Sequence, residues 1–473
     1  MIITIYIIKI IKTLLVLVTG TLILSIIGLY NGYPLVHSDT GTYISSGFNS
    51  FIPNDRPVTY GLFIKLFSFN YSLWFIIIFQ NFITAFVIYE VLKTMNLNKE
   101  RFIYFYLSVL TFLVLFTGIG WYSNQIMPDF FAPISILIIF VLLKKEKISL
   151  SIRVVLYLIL IYSLISHLSH LMIGSVLILL VVILKNTLKQ RYFDIPVRRI
   201  INVLIIVCSS WIILPGINYL VEKKFILSKA SHVFIMAHLN DTGILEKFLK
   251  ENCSDKEFEG CKLCHYKDSL PNTLASFIWS TNILENTGGW LNSKEEYNKI
   301  IAATLKQPKY LFLNIFKSFN YGLIQLTKNE IGQGLSPYLK GSPPYGQINV
   351  RFHDELNNYL NSRQNKWKGG TLRMNTLNTF NLIILMLSLF IIIYLFTTPV
   401  LSKLDSKTVT FLLFVILAII INSFVTAGLN SPTERFQARV VWMLPLALIV
   451  LISNNYNLIL KTLRNSIKNN NDI

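Results

Sequence analysis

Runs of about twenty apolar residues recur so often along this chain that water cannot be the solvent for most of it. Thr13–Tyr30, Ser72–Met95, Phe102–Gly120, Ile201–Leu220, Leu377–Thr397 and Val409–Leu429 are such runs. A bilayer's hydrocarbon core is about 30 Å thick, the length of a helix of about 20 residues. Inside it every backbone N–H and C=O must be bonded within the segment, which makes helices the solution for runs of this length. Composition agrees: 53% of the 473 residues are hydrophobic and 14% are charged, against about 25% charged in soluble proteins. The sequence predicts an all-α integral membrane protein.

A net charge of +19 would suggest nucleic acid in a soluble protein. Here the distribution explains it, because lysine and arginine gather in cytoplasmic loops. The basic clusters are Lys93, Lys99 and Arg101; Lys144, Lys145 and Lys147; Lys185, Lys189, Arg191, Arg198 and Arg199; and Lys403 and Lys407. A tail with Lys461, Arg464 and Lys468 follows, while the turns around Ser123 and His167 carry neither lysine nor arginine. This alternation predicts about ten spanning helices with both termini cytoplasmic. Lys9 and Lys12 precede the first apolar run as in a signal peptide, but no small-residue cleavage site follows, so a retained helix is expected. Membrane lipids are expected partners and nucleic acid is not.

Three parts follow. Residues 1–220 hold helices one to seven and the first outer loop. Residues 221–375 carry both charge signs and no confident span, and are expected as a large outer domain or loop between helices seven and eight. Residues 376–473 return as helices eight to ten and a short tail. Pro57–Phe69 and Tyr310–Leu326 are expected to lie on the membrane surface as amphipathic helices. Central membrane positions almost lack Asp, Glu, Lys and Arg, whereas transporters and flippases usually need ionisable groups at that depth. The charged groups stand at outer helix ends, as on a platform facing outward.

The first outer loop concentrates polar chemistry in His37-Ser38-Asp39-Thr40-Gly41-Thr42-Tyr43 and Asn54-Asp55-Arg56-Pro57-Val58-Thr59-Tyr60-Gly61. Asp39 has two readings on residue type alone: a helix cap before Gly41–Phe48, or a carboxylate that takes a proton or holds a cation. Asp55-Arg56-Pro57 reads as a turn and cap, and His37 as a substrate-orienting or plain loop histidine. Asp129 closes a second outer loop in Met127-Pro128-Asp129. His167 and His170 are three apart and share a face if helical; they line a cavity or contact substrate, since two histidines do not make a metal site. Arg435 and Arg439 open helix ten on the outer side, as phosphate ligands or as interfacial anchors. No metal site is assigned; a divalent cation would need a second carboxylate beside Asp39, which Asp129 offers.

Of four cysteines, Cys208 is expected buried within helix seven, and Cys253, Cys261 and Cys264 lie in the outer segment. An oxidising compartment favours a disulfide of Cys253 with Cys261 or Cys264. Cys261-Lys262-Leu263-Cys264-His265 also fits the C-x-x-C-H haem-attachment pattern, with no second feature behind it. Zinc would need a fourth ligand, which His265 offers.

An acid after helix one, an Arg-Pro-x-x-Tyr segment before an amphipathic helix, an acid entering helix four and a large later outer segment together resemble the C-type (GT-C) membrane glycosyltransferases. These include protein O-mannosyltransferases, aminoarabinose transferases and oligosaccharyltransferase catalytic subunits. The resemblance covers the layout of about the first 190 residues. It implies transfer of a sugar from a polyprenyl-phosphate donor to a glycan, lipid or protein acceptor on the extracytoplasmic face of a bacterial plasma membrane. Asp39 would be the general base, with Asp129 the second acid. Arg56-Pro57-Val58-Thr59-Tyr60 is similar to that family's R-x-P-x-Y-P-like stretch, and His37, Arg56, Tyr60, His167, His170, Arg435 and Arg439 would contact substrate. Many members carry paired acids at the first site, whereas this chain has Asp39 alone in Ser38-Asp39-Thr40. An O-antigen polymerase or ligase working through outer arginines, and a non-enzymatic transporter or flippase, are the alternatives.

Overall fold

The computed structural model describes residues 2–95, 101–187, 195–366 and 372–471. Lys99, Lys189 and Arg191 lie outside them. Helices are the regular structure throughout the described residues, and an isolated bridge joins Leu35 to Gln125. The first half comprises α1 (Ile2–Asn31), α2 (Thr40–Asn49), α3 (Thr59–Phe67), α4 (Trp74–Thr94), α5 (Phe102–Phe116), α6 (Ile119–Ser123), α7 (Phe131–Lys144), α8 (Leu150–Ile165), α9 (Leu168–Thr187) and α10 (Val197–Glu222). Then follow α11 (Ser231–Asp241), α12 (Ile244–Asn252), the short α13 (Ile283–Asn286) and α14 (Gly289–Asn292), α15 (Lys294–Lys306) and α16 (Pro308–Thr327). The chain ends with α17 (Pro343–Arg351), α18 (Leu356–Asn361), α19 (Met374–Thr397), α20 (Ser406–Leu429), α21 (Glu434–Val441) and α22 (Met443–Asn471).

Among the described residues seven helical stretches are long and apolar enough to cross a membrane. Three expected spans are shorter, for local reasons. Helix three stops at Phe116 because Thr117 is extended and Gly118 turns the chain into α6, so Phe102–Gly120 is two helices. α7 has 14 residues because a 3₁₀ turn, Pro128–Phe130, precedes it, and α8 has 16, ending at Ser166. α7 is buried from Phe131 to Leu143; its surroundings are protein, so its apolarity reflects a core position.

The loops sort to two ends of the bundle. At one end Lys145 pairs with the buried Glu90, Lys407 reaches Glu146 at 3.2 Å, and Arg199 Nη1 donates to the Leu143 carbonyl at 3.2 Å. At the other, Leu35 N–H donates to Asn124 O at 2.9 Å, Thr59 Oγ1 to Ile165 O at 2.7 Å, and Ile52 N–H to Glu222 Oε1 at 2.7 Å. The basic clusters thus share one end, and the loops expected outside share the other.

Residues 221–375 do not form one unit. Ala230, Met236, Phe248, Phe277, Tyr297 and Tyr310 belong to a separate small core. Ile331, Leu335, Ile348, Phe352 and Tyr359 join the main core instead. The stretch 331–366 is therefore a strap laid over the loop that follows α1. Gln364 fixes it, accepting from Val36 N at 3.1 Å and donating to Val36 O at 2.8 Å, while Glu355 accepts from Tyr33 Oη at 2.7 Å and from Ser72. α16 packs on α20, where Ser423 Oγ donates to Gly322 O at 2.6 Å, and leaves Phe312, Ile315, Phe316, Phe319 and Leu323 exposed. Cys253 is bonded to Cys264, with 5.7 Å between their Cα atoms. Cys264 is thereby removed from the haem pattern, and Cys261 is left free and buried. Cys208 is exposed on α10, not buried as expected, because it points away from the face that carries Val203, Val207 and Ser210.

Candidate functional site

Three distant parts of the chain meet where the strap covers the first loop. Asp39 stands just before α2, yet its side chain makes no capping hydrogen bond. Thr40 ties the turn before the helix to the second loop, its Oγ1 accepting from His37 N at 2.9 Å and donating to Ile126 O at 3.0 Å. The Asp39 carboxylate faces cations instead: Oδ1 lies 3.1 Å from Arg56 Nη2, and Oδ2 lies 3.5 Å from both Arg435 Nη1 and His37 Nδ1. Arg435 Nη1 also approaches His37 Nε2 at 3.1 Å. Asp55 caps nothing either; it pairs with Arg56.

Arg435 and Arg439 are one turn apart on α21 and so share a face. Asp129 Oδ1 sits between them, 3.7 Å from Arg435 Nε and 3.1 Å from Arg439 Nη1. Both guanidiniums lie 5.1 Å from the centre of the Phe436 ring. Arg439 is fully buried, and its Nη2 points to Ser169 Oγ and Asn422 Oδ1, each at 3.4 Å. An ion-pair chain thus runs Asp55–Arg56–Asp39–Arg435–Asp129–Arg439, three acids against three arginines.

The chain of charges has a mouth and a floor. The Asp39 side chain is 24% exposed and Arg435 16%, whereas Asp129 is 4% exposed and Arg439 not at all. Asp39 and Arg435 can meet a ligand. Asp129, expected as a second catalytic acid, can act only by holding the two arginines. Tyr60, expected at substrate, is fully buried with Oη donating to Gln80 Oε1 at 2.6 Å. It braces Tyr43, 5.0 Å away edge to face, and the Tyr43 ring carries the Arg56 guanidinium at 5.0 Å. His170, expected to face the cavity, is fully buried behind Arg439, with Nδ1 3.1 Å from Ser166 Oγ. His167 is half-buried with Nδ1 against Ser169 Oγ at 2.8 Å.

Electrostatics follow from this packing. Burial alone would raise the Asp39 carboxyl, but Arg56, His37 and Arg435 outweigh it and hold the group well below the usual carboxylate range. Burial opposes ionisation of Asp129 too, and Arg435, Arg439 and the two histidines bring it down to about 2. Burial, then Arg435, lowers His37 to about 4; burial, then Arg439, lowers His167 to about 3. Both imidazoles are neutral at pH 7.

Among the described residues no cluster of three His, Cys, Asp or Glu side chains is placed to hold a metal ion. The two acids that would be needed are both engaged by guanidinium groups, whose charge repels a divalent cation, so this donor set does not suit one. An anion fits better. Nε and Nη1 of Arg56 and Nε of Arg439 are buried without a hydrogen-bond partner among the described residues, and an unmet buried donor costs about 1–3 kcal/mol.

Sequence reasoning missed Tyr43, Ser169, Asn422 and the strap. Asn422-Ser423 and Gln80-Asn81 were visible as polar pairs inside apolar spans, a costly placement that signals a bonded network. No family model, curated protein or solved structure matches this chain.

Proposed function

We propose that the protein is a membrane glycosyltransferase that moves a sugar from a polyprenyl-phosphate donor to a glycan, lipid or protein acceptor outside the cytoplasm. On this reading the bundle spans a bacterial plasma membrane about ten times, as in the GT-C enzymes it resembles, and both termini are cytoplasmic. The outer segment and the Asp39 mouth then share the outer face. The observation that carries the proposal is the meeting of Asp39 and Arg56 with Arg435, 396 positions from Asp39 in sequence, at one partly open point.

In the step itself the acceptor oxygen bonds to C1 of the sugar and the C1–O bond to phosphate breaks. The acceptor proton passes to Asp39, and polyprenyl phosphate leaves with the bonding pair. Arg435, with Arg56 beside it, receives the phosphate charge. This arrangement also solves a difficulty. A carboxylate held so far below its usual range is a weak base. Donor phosphate draws the guanidiniums off Asp39, so its proton affinity rises only when substrate is present.

The test is release of polyprenyl phosphate from a sugar-loaded polyprenyl-phosphate donor by the purified protein. Asp39→Asn should reduce turnover by about 10²–10⁴-fold, the range for a lost general base, with thermal stability showing that the fold persists. Retained turnover removes Asp39 from the chemistry. Because both Asp39 oxygens face cations, an arginine-centred O-antigen polymerase or ligase is a second reading. There Arg435→Ala is fatal and Asp39→Asn mild.

A further inference from the structure

The opposite end of the bundle holds a second concentration of charge, which the transfer reading does not use. A cavity of about 350 Å³ opens between the ends of α4 and α7 and the starts of α8 and α20, lined by Lys93, Lys145, Lys147, Lys407, Glu146 and Ile152, among others. Its volume falls within the ~300–1,000 Å³ of small-molecule sites. Four lysines face two acids here. Glu90 takes Lys145, with Lys93 at 4.0 Å, and Glu146 takes Lys407 at 3.2 Å. Lys147 is exposed and has no ion pair among the described residues. Arg199 stands close by, bonded to the Leu143 and Glu146 carbonyls at 3.2 and 3.3 Å. The cavity therefore carries an uncompensated positive charge at the level where the helices end.

The geometry points to a binding site for the phosphate-bearing headgroup of an anionic membrane lipid. Two features select a lipid over free phosphate. The cavity lies among helix ends at the basic end of the bundle, and basic pockets between membrane helices bind anionic headgroups. On α8, Ile152 lines the cavity, and Val155, about 60° further round the helix, is exposed, giving an acyl chain an apolar contact on the cavity side. A bound lipid would tie α4, α7, α8 and α20 together, and the site stands or falls independently of glycosyl transfer.

The full-length protein in detergent can be titrated with short-chain phosphatidylglycerol and, separately, phosphatidylcholine, with native mass spectrometry counting bound lipid. Each basic side chain near an anionic headgroup contributes about fivefold. The Lys93→Gln/Lys147→Gln double variant should thus weaken phosphatidylglycerol binding about 25-fold and leave phosphatidylcholine unchanged. These two lysines are the ones to change, because Lys145 holds the buried Glu90 and its loss would disturb the fold. Lys93→Arg/Lys147→Arg should restore the preference. Equal binding of the two lipids by the native protein overturns the site, as does an unchanged preference in the Gln variant. Inorganic phosphate binding as tightly as the lipid would also overturn it, assigning the cavity to a soluble anion.

Discussion

Asp39 shows how much a single neighbour decides. On residue type alone it serves equally as a cap or as a reactive acid, and the structure separates the two because the carboxylate makes no cap hydrogen bond and turns to Arg56 and Arg435. The charged residues of the site were legible because charge inside an apolar chain is costly and stands out: Asp39, Arg56, Asp129, Arg435 and Arg439 all belong to the cluster. What lies against them was not legible. Gly334 in the strap has φ +80° and lies so close to His37 that an added Cβ would come within 2.2 Å of its ring. Gly341, at φ +98°, has nothing within 4 Å of its added Cβ. Gly334→Ala and Gly341→Ala therefore share a backbone cost of about 1–2 kcal/mol, and only the first displaces His37 from Arg435. Both variants should lose thermal stability, Gly334→Ala the more through its clash with His37, while Gly334→Ala alone weakens binding of polyprenyl phosphate by tenfold or more. Equal binding by the two would mean that the strap does not shape the site.

At the level of elements, the site depends on how closely α2 and α3 approach, since Asp39 precedes one and Arg56 the other. An added Cβ on Gly47 would lie 1.9 Å from the Gly61 carbonyl oxygen, and one on Gly61 would lie 2.6 Å from Tyr43 O and 2.7 Å from Gly47 N. These are backbone contacts and cannot be relieved by rotating a side chain. Gly47→Ala or Gly61→Ala should force the helices apart and cost about 1–3 kcal/mol, as overpacking does, moving Arg56 away from Asp39. Gly346→Ala on α17, where nothing lies within 4 Å, should be neutral or stabilise by up to about 1 kcal/mol. Thermal melts of the three proteins check this; a Gly61→Ala protein as stable as the parent would refute the close-packing account. The helix itself was readable from its alternating aromatic and aliphatic residues. The break at Thr117 was not, because Gly118-Ile119-Gly120-Trp121 continues an apolar run, and the Ala438 carbonyl and Ile331 that close in on Gly118 come from far along the chain. The strap was hidden for a related reason: its apolar residues are sparse, and their partners lie some 300 residues away in sequence, as Val36 and Gln364 show with a separation of 328.

Over the whole molecule, the separation of charge into a basic end and a mixed-sign end was the most legible feature, since topology governs lysine placement more strongly than any local preference. The balanced core of the mixed-sign end has a consequence for pH. His37 and His167 are held at about 4 and about 3, against 6.5 when exposed, so below pH 6.5 the unfolded chain binds protons that the folded chain refuses. Their contribution is fully present above pH 6.5 and is lost as pH falls toward those folded values. At pH 5 each histidine accounts for at most about 2 kcal/mol of lost stability. His232 and His238 on α11, also lowered by burial, act in the same direction. Asp129 follows at lower pH, its share disappearing between about 4 and about 2. The unfolding temperature in detergent should therefore fall steadily from pH 7 to pH 5. The His37→Gln/His167→Gln protein should lose less over the same interval, because glutamine binds no proton in either state. If the double variant keeps the parent's full slope, the acid sensitivity arises elsewhere and the two imidazoles are not held neutral by their burial and the arginines around them.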